Sequence, residues 1–176
     1  MQLRRNFLNS AALFAAVSLI APAAWAQMSP ATEATGTIGG KKIQIKYSSP
    51  RMRGRKIMGG LVPFNQVWRT GADSATTLST EANLQIGDLK VPKGNYTVFT
   101  NPTATEWTLI LNKELGQWGL DYKQKLDFGR TKMTVKALPA AVENFTIAVK
   151  STGANTGVLT MTWEKTEASV PITVVP

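Results

Sequence analysis

Residues 35–47 read TGTIGGKKIQIKY, and this stretch carries the pattern that predicts the fold. Gly39 and Gly40 stand between two short runs, which is the signal of a two-residue turn between antiparallel strands. After the turn, apolar and polar residues alternate, with Ile43 and Ile45 on one face. A period of two residues places that face against a core, so the stretch is predicted to be a β-hairpin.

The same period recurs along the chain in short runs that are rich in Val, Ile, Thr and aromatic residues. Gly87-Asp88 marks a second hairpin turn, with glycine first as a type II′ turn requires. Apolar residues at the helical spacing i, i+3, i+4 and i+7 are missing. About eight or nine short strands therefore predict an all-β protein, an antiparallel β-sandwich with Greek-key or jelly-roll wiring.

Residues 1–26 have the pattern of a cleaved export signal. Arg4 and Arg5 open it, an apolar run covers 11–21, and Ala-Trp-Ala at 24–26 is a small-x-small cleavage site. The apolar run is too short to span a bilayer as a helix. The paired arginines resemble a twin-arginine signal, and general secretion is the alternative route. We expect a periplasmic or secreted mature protein without a transmembrane segment.

Residues 27–34 are mostly small, so we expect a flexible tail there, followed by one β-sandwich domain at 35–176. The sequence has no cysteine and no histidine. Disulfides, a thiol nucleophile and the usual serine triad are thereby excluded. The carboxylates are scattered singly, so neither a metal nor a cofactor is expected.

The chain is basic, with 20 Lys and Arg residues against 11 Asp and Glu residues and a formal net charge of +9. Basic proteins attract nucleic acid, anionic lipid, acidic polysaccharide or small anions. For an exported protein, a small anionic molecule or an acidic polysaccharide is the expected partner, and nucleic acid is not. The oligomeric state is not predicted by the sequence.

Residues 48–77, SSPRMRGRKIMGGLVPFNQVWRTGADSATT, interrupt the strand pattern, and we call them the arginine-rich segment. Long irregular segments in compact domains are commonly functional. The guanidinium groups of Arg51, Arg55 and Arg69 could converge on one anion, because arginine binds carboxylate or phosphate through two parallel hydrogen bonds. Other hydrogen-bonding residues of the segment would complete the site: Asn65, Thr70 and Asp73. The alternative is that Arg69 pairs with Asp73 and the other cations are simply solvated.

Trp68 and Trp118 are the two aromatic residues whose placement decides how these regions are interpreted. Trp68 is predicted to be a core residue that ties the arginine-rich segment to the sandwich. Trp118 lies in a second irregular stretch, at 112–130, between glycines. Exposed, it would be a platform for stacking a sugar. Buried, which is favoured, it would be a plug that closes one end of the sandwich.

Four stretches together resemble the bacterial domain-of-unknown-function family 2911: the arginine-rich segment, GDLKVPKGNYTVFTNP, EWTLILNKELGQWG and DYKQKLD. The resemblance covers about Lys42 to Lys150. It implies an exported protein and assigns no activity. Members of the family usually carry Asn or a similar residue where this chain has Asp73, so no role is carried over to that carboxylate.

Three hypotheses of function follow, and binding is favoured over catalysis. The first is a periplasmic binding module for a small anionic ligand or an acidic glycan. The second is a metal-independent lyase or isomerase, with Arg69 stabilising charge and Asp73, Tyr122 or a lysine as base. It requires Arg69 and Asp73 to face one concave pocket with a third titratable group. The third is a structural or cell-envelope protein whose arginines bind anionic lipid or cell wall.

Overall fold

The computed structural model describes residues 28–176, and the predicted export signal at 1–26 lies outside these residues. The described chain folds into nine β-strands and one short 3₁₀ turn. Within it, no helix is both long enough and apolar enough to span a membrane.

The strands are numbered in chain order. Their bounds are β1 Ala31–Ile38, β2 Lys41–Ser48, β3 Thr76–Thr80, β4 Asn83–Ile86, β5 Leu89–Val91, β6 Gly94–Pro102, β7 Glu106–Asn112, β8 Asp127–Ser151 and β9 Thr156–Val175. The 3₁₀ turn, Gln124–Leu126, lies between β7 and β8.

All nine strands belong to one antiparallel sheet in the order β1-β2-β3-β6-β7-β8-β9-β4-β5. The all-β antiparallel class is confirmed. The predicted sandwich with Greek-key or jelly-roll wiring is not confirmed, because hydrogen bonds join all nine strands into a single open sheet. This sheet folds back on itself, so that Gly36 of β1 lies against Val149 of β8. A Cβ atom at position 36 would come within 2.6 Å of the Val149 side chain.

Both predicted hairpin turns are present. Gly39 and Gly40 have φ angles of 58° and 70° and join β1 to β2, as the two positive φ angles of a type I′ turn require. Gly87, with φ of 57°, opens the turn between β4 and β5.

The last two strands are far longer than predicted. The sequence pattern suggests two short strands in the place of β8 and two in the place of β9, but β8 runs for 25 residues and β9 for 20. The apolar alternation fails at 138–141, where the register between the two strands shifts. Bulges of this kind add residues to one strand and bend it without ending it.

The predicted tail at 27–34 is also wrong in part, because its second half is a strand. Ala31 pairs with Ser48 and Ala34 pairs with Ile45 across the β1–β2 ladder. The Ala34 side chain is buried. Small residues in β1 suit the place where this strand packs closely on β8, which explains a composition that resembles a tail.

Trp68 packs against the core, as predicted. Its ring lies 5.9 Å from that of Trp107, 4.9 Å from that of Phe145 and 5.8 Å from that of Trp163, measured between centroids. We call these four residues the aromatic cluster. The contacts with Trp107 and Phe145 are edge-on and the one with Trp163 is stacked, which are favourable arrangements of aromatic rings.

The backbone of Trp68 is tied to the sheet as well. Its amide donates to the Thr100 carbonyl at 2.7 Å, and the Thr100 amide donates back to the Trp68 carbonyl at 2.9 Å. The Asn65 amide donates to the Pro102 carbonyl at 2.8 Å. The arginine-rich segment therefore lies along β6 and is held there by main-chain hydrogen bonds.

We predict that Trp68→Ala lowers the free energy of unfolding by ~3–5 kcal/mol, the usual cost of removing a large aromatic from a packed cluster. Trp118→Ala is the matched control, because 47 % of that residue is exposed. The control should change stability by less than ~0.5 kcal/mol. Chemical denaturation measures both. A loss below ~1 kcal/mol for Trp68→Ala would show that its cluster contacts do not hold the segment.

Candidate functional site

A cleft of about 640 Å³ opens between the arginine-rich segment, Met28–Pro30 and the loop at 119–122. Phe99 of β6 and Trp163 of β9 also line it. Each is only 1 % exposed, so these two rings form the base. The walls are irregular segments and the base is sheet, a common arrangement for binding sites.

The first part of the arginine-rich segment is fixed by the middle of the β8–β9 hairpin. The Phe145 amide donates to the Pro50 carbonyl, and the Met52 amide donates to the Glu143 carbonyl, both at 2.9 Å. The Arg53 amide donates to the Glu143 carboxylate at 2.9 Å. Arg51 and Arg53 thus stand on a backbone that the sheet holds in place.

The next turn is held by one carboxylate. Glu164 of β9 accepts the amides of Ile57 and Met58 at 3.2 and 3.0 Å. Ile57 and Met58 are buried, while the neighbouring Arg55 and Lys56 are exposed. A hydrogen bond to a charged acceptor is stronger than one between neutral groups, so this contact fixes the turn firmly.

Unusual backbone conformations concentrate in the arginine-rich segment. In the described chain, five non-glycine residues have positive φ, and four belong to this segment: Arg53, Asn65, Thr70 and Asp73. Thr70, with φ of 54°, is the most unusual because it is β-branched. Strained residues persist where surrounding contacts over-determine them, and they cluster at functional sites.

Thr70 is buried, so it is not the ligand-facing donor that the sequence suggests. Its hydroxyl donates to Thr100 Oγ1 at 3.1 Å, and its carbonyl accepts from the Thr76 hydroxyl at 2.8 Å. These bonds hold the strained turn that follows Arg69. Thr70 is therefore a positioning residue.

Among residues 28–176, four arginines and no lysine line the cleft. The lining contains Arg51, Arg53, Arg55 and Arg69, with Asp73 as the carboxylate among them. Arg55 donates to the Met52 and Arg51 carbonyls at 3.0 and 2.8 Å, so its guanidinium also braces the loop. Arg51, Arg55, Arg69 and Asp73 thus line one cleft, and Arg53 joins them.

None of these arginines takes part in an ion pair within residues 28–176. The ion pairs in this range are Lys123–Glu114, Arg130–Asp127, Lys132–Glu106 and Lys136–Glu167. The alternative that Arg69 pairs with Asp73 is therefore wrong. The Asp73 carboxylate instead accepts the Ser29 amide at 3.1 Å.

Arg69 is confined by the loop that follows β7. Gly119 lies so close that a Cβ atom there would meet Arg69 Cδ at 2.5 Å and the Asp73 carbonyl at 2.6 Å. The Gly119 amide donates to that carbonyl at 3.1 Å. Arg69 Nε is buried and has no hydrogen-bond partner among the described residues. A buried donor is costly unless it is paired, so the position of Arg69 is held at some cost in stability.

Two other predicted residues lie outside the cleft lining. Asn65 is exposed on the far part of the segment. Trp118 pairs through its backbone with Ser74 and keeps 47 % of its surface exposed, so the plug interpretation is wrong. The loop packs inward through a different ring: Tyr122 makes an edge contact with Phe99 at 4.9 Å.

Sequence reasoning missed several lining residues. Phe99 and Trp163 resemble ordinary core positions of strands, and Met28–Pro30 fall within the predicted tail. Nothing in their local pattern marks them as parts of a site. Arg53 does carry such a signal, because it stands between Arg51 and Arg55 in the sequence.

Tyr122 joins the cleft to a polar network. Its hydroxyl donates to the Asp127 carboxylate at 2.9 Å and accepts from Arg130 at 2.7 Å. Asn112 donates to the other oxygen of Asp127 at 2.9 Å. Burial is the main cause that raises the pKa of Tyr122 to about 12, and the hydrogen bond to Asp127 is the second. The phenol stays protonated near neutral pH, which makes it a poor general base.

The acidic residues of the described chain do not form a metal-binding site. In the described range, 28–176, no three Asp or Glu side chains are close enough together to hold one.

Comparison with known proteins assigns the family. Residues 29–172 match the family described as protein of unknown function DUF2911. The chain belongs to this family. The matched range contains the whole lining of the cleft apart from Met28. No curated protein and no solved structure matches the chain. The DUF2911 assignment carries no activity, so the function has to be argued from the cleft.

We predict that Tyr122 contributes to the loss of stability at alkaline pH. The unfolded chain releases this proton near pH 10.0 and the folded protein near pH 12. Stability from this group is therefore fully present below pH 10 and is lost as the pH rises towards 12. Tyr122→Phe lacks the proton, so its stability should fall less steeply across that window. Chemical denaturation of both proteins at a series of pH values measures the slopes, and equal slopes would contradict the prediction.

Proposed function

We propose that this protein is an exported binding module that holds a small anionic ligand, or the acid group of a glycan, in the cleft. The observation that carries the proposal is the lining itself, with four arginines, no lysine and one aspartate. Guanidinium groups match carboxylate and phosphate with paired hydrogen bonds, whereas lysine offers a point charge.

The setting of the arginines supports binding rather than general solvation. Within residues 28–176, none of the four arginines is in an ion pair. The neighbouring carboxylates of Asp73 and Glu143 accept backbone amides instead. The backbone below Arg51, Arg53 and Arg69 is fixed by the sheet and by Glu143. Preorganisation of this kind lowers the entropic cost of binding. A volume of about 640 Å³ falls within the range of small-molecule sites.

The proposed location is the periplasm or the cell exterior. Its support is the signal-like pattern of residues 1–26, with paired arginines, an apolar run and a small-x-small site. In that compartment, organic acids, phosphates and acidic sugars are ligands that would meet such a cleft.

An enzyme is the second candidate, since one observation favours it. Arg69, Asp73 and Tyr122 all line the same cleft, which is the arrangement that a lyase or isomerase would require. The raised pKa of Tyr122 disfavours that side chain as base and leaves Asp73. Asp73→Asn separates the two functions, because an enzyme would lose turnover while a binding module would keep its ligand.

We predict that an anion from a panel of sugar acids, phosphates and organic acids gives a saturable rise in melting temperature. A ligand that binds only the folded protein stabilises it by ~2.7 kcal/mol at a hundred times its Kd. Arg51→Gln and Arg69→Gln should each weaken that ligand about tenfold or more, the usual value of a hydrogen bond to a charged group. Lys90→Gln removes an equal charge outside the cleft and should leave the Kd unchanged.

Two results would contradict this proposal. The first is a panel in which no anion stabilises the wild-type protein more than it stabilises Arg69→Gln. The second is binding that rises smoothly with the charge of a lipid surface and vanishes in high salt, with no defined small ligand. That behaviour belongs to the third hypothesis, a cell-envelope protein held by screened charge.

A further inference from the structure

The exposed apolar side chains of the described chain concentrate around the cleft. Six large hydrophobic residues are exposed in residues 28–176, and four of them line the cleft: Met28, Leu61, Val67 and Leu120. Met28 and Leu120 are each 71 % exposed. Single exposed apolar residues need no explanation, but a group around one concave site marks a contact surface.

The base of the cleft is apolar too. Phe99 and Trp163 lie at the bottom, and Trp68 adds part of its ring to the wall. Apolar side chains thus continue from the rim to the base beside the arginines. A ligand that touches only the guanidinium groups would leave this surface in water.

Neutral hydrogen-bonding groups are scarce in the lining. The uncharged side chains there that can form hydrogen bonds are Ser29, Ser49, Gln66, Tyr122 and the indole groups of Trp68 and Trp163. Trp163 already donates its indole N–H to the Glu143 carbonyl at 3.1 Å. Ser49 donates to the Phe145 carbonyl at 2.7 Å, and Tyr122 is bonded to Asp127 and Arg130. A sugar has a hydroxyl on most of its carbons, and each one loses free energy when it is buried without a partner. Apart from the charged groups, Ser29, Gln66 and the Trp68 indole remain, and they are too few to serve every hydroxyl of a polyhydroxylated ring.

We infer that the ligand is an amphipathic anion, in which one acid group is attached to a hydrocarbon or aromatic body. The arginines hold the acid group, and the apolar rim and aromatic base cover the body. This inference rests on the proposed function and narrows its ligand from anions in general to those that carry an apolar part. The cleft takes one free molecule, because its concave shape and its volume suit a small ligand rather than a lipid surface.

Titration calorimetry with straight-chain monocarboxylates tests the inference directly. The series runs from acetate to octanoate, at concentrations where each acid is monomeric. Every member carries the same carboxylate, so only the buried hydrocarbon changes. The Kd should fall about fourfold for each methylene group that enters the cleft. Glucuronate, which has the charge but not the apolar body, should bind more weakly than hexanoate.

Variants separate the two parts of the site. Leu120→Ser should reduce the gain per methylene group and leave short acids unaffected, because it removes apolar surface only. Leu115→Ser is the matched control, since Leu115 lies on the same loop and is 52 % exposed but does not line the cleft. Arg51→Gln should instead weaken every acid of the series by the same factor.

The outcomes distinguish this inference from the proposed function. If glucuronate or phosphate binds and the Kd of the monocarboxylates does not change with length, the inference is overturned and the proposed function stands. If vesicles of phosphatidylglycerol bind while monomeric octanoate does not, the inference is overturned as well. If no anion binds, or if Arg51→Gln and Arg69→Gln leave all Kd values unchanged, the proposed function itself fails.

Discussion

Two backbone hydrogen bonds between Trp68 and Thr100 decide where the arginine-rich segment lies. They join an irregular segment to the central strand β6, and the Trp68 ring continues the attachment into the aromatic cluster. Arg69 follows at once, so its position is inherited from a residue that the core fixes. The strained Thr70 then turns the chain towards Asp73. The cleft forms because Trp68 is fixed both by its backbone hydrogen bonds to β6 and by its ring contacts in the aromatic cluster.

The cleft differs from the rest of the fold in its ion pairing, its backbone conformations and its exposed apolar side chains. Elsewhere, strands alternate, turns carry the glycines that they need, and several exposed lysines meet carboxylates. Around the cleft, the arginines have no ion-pair partner among residues 28–176, non-glycine residues take positive φ, and apolar side chains face water. The positive φ angles of non-glycine residues cost stability. Natural proteins tolerate such local conflicts mainly at functional sites, and here they occur together.

The features that can be predicted from the sequence are those that depend on neighbouring residues. The Gly39-Gly40 turn needs only two residues, and the packing of Trp68 against the core follows from its neighbours. Pairing across long distances is different. A bulge keeps β8 continuous through 138–141, although the apolar pattern stops there, because hydrogen bonding to β9 resumes beyond it. Trp118 is exposed because the loop packs inward through Tyr122 instead, a choice that depends on Phe99 in another strand.

The hydrogen bonds of Glu164 indicate when the cleft forms during folding. Glu164 accepts amides from residues 57 and 58, across separations of 107 and 106 positions. Glu143 reaches Arg53 over 90 positions. Contacts between such distant residues form late, because a long loop must close before they stabilise the chain. A chain that has made only its first strands would have the arginines but no fixed backbone beneath them. The cleft therefore takes its shape only in the completed molecule, since the last strand, β9, fixes the turn at 57–58.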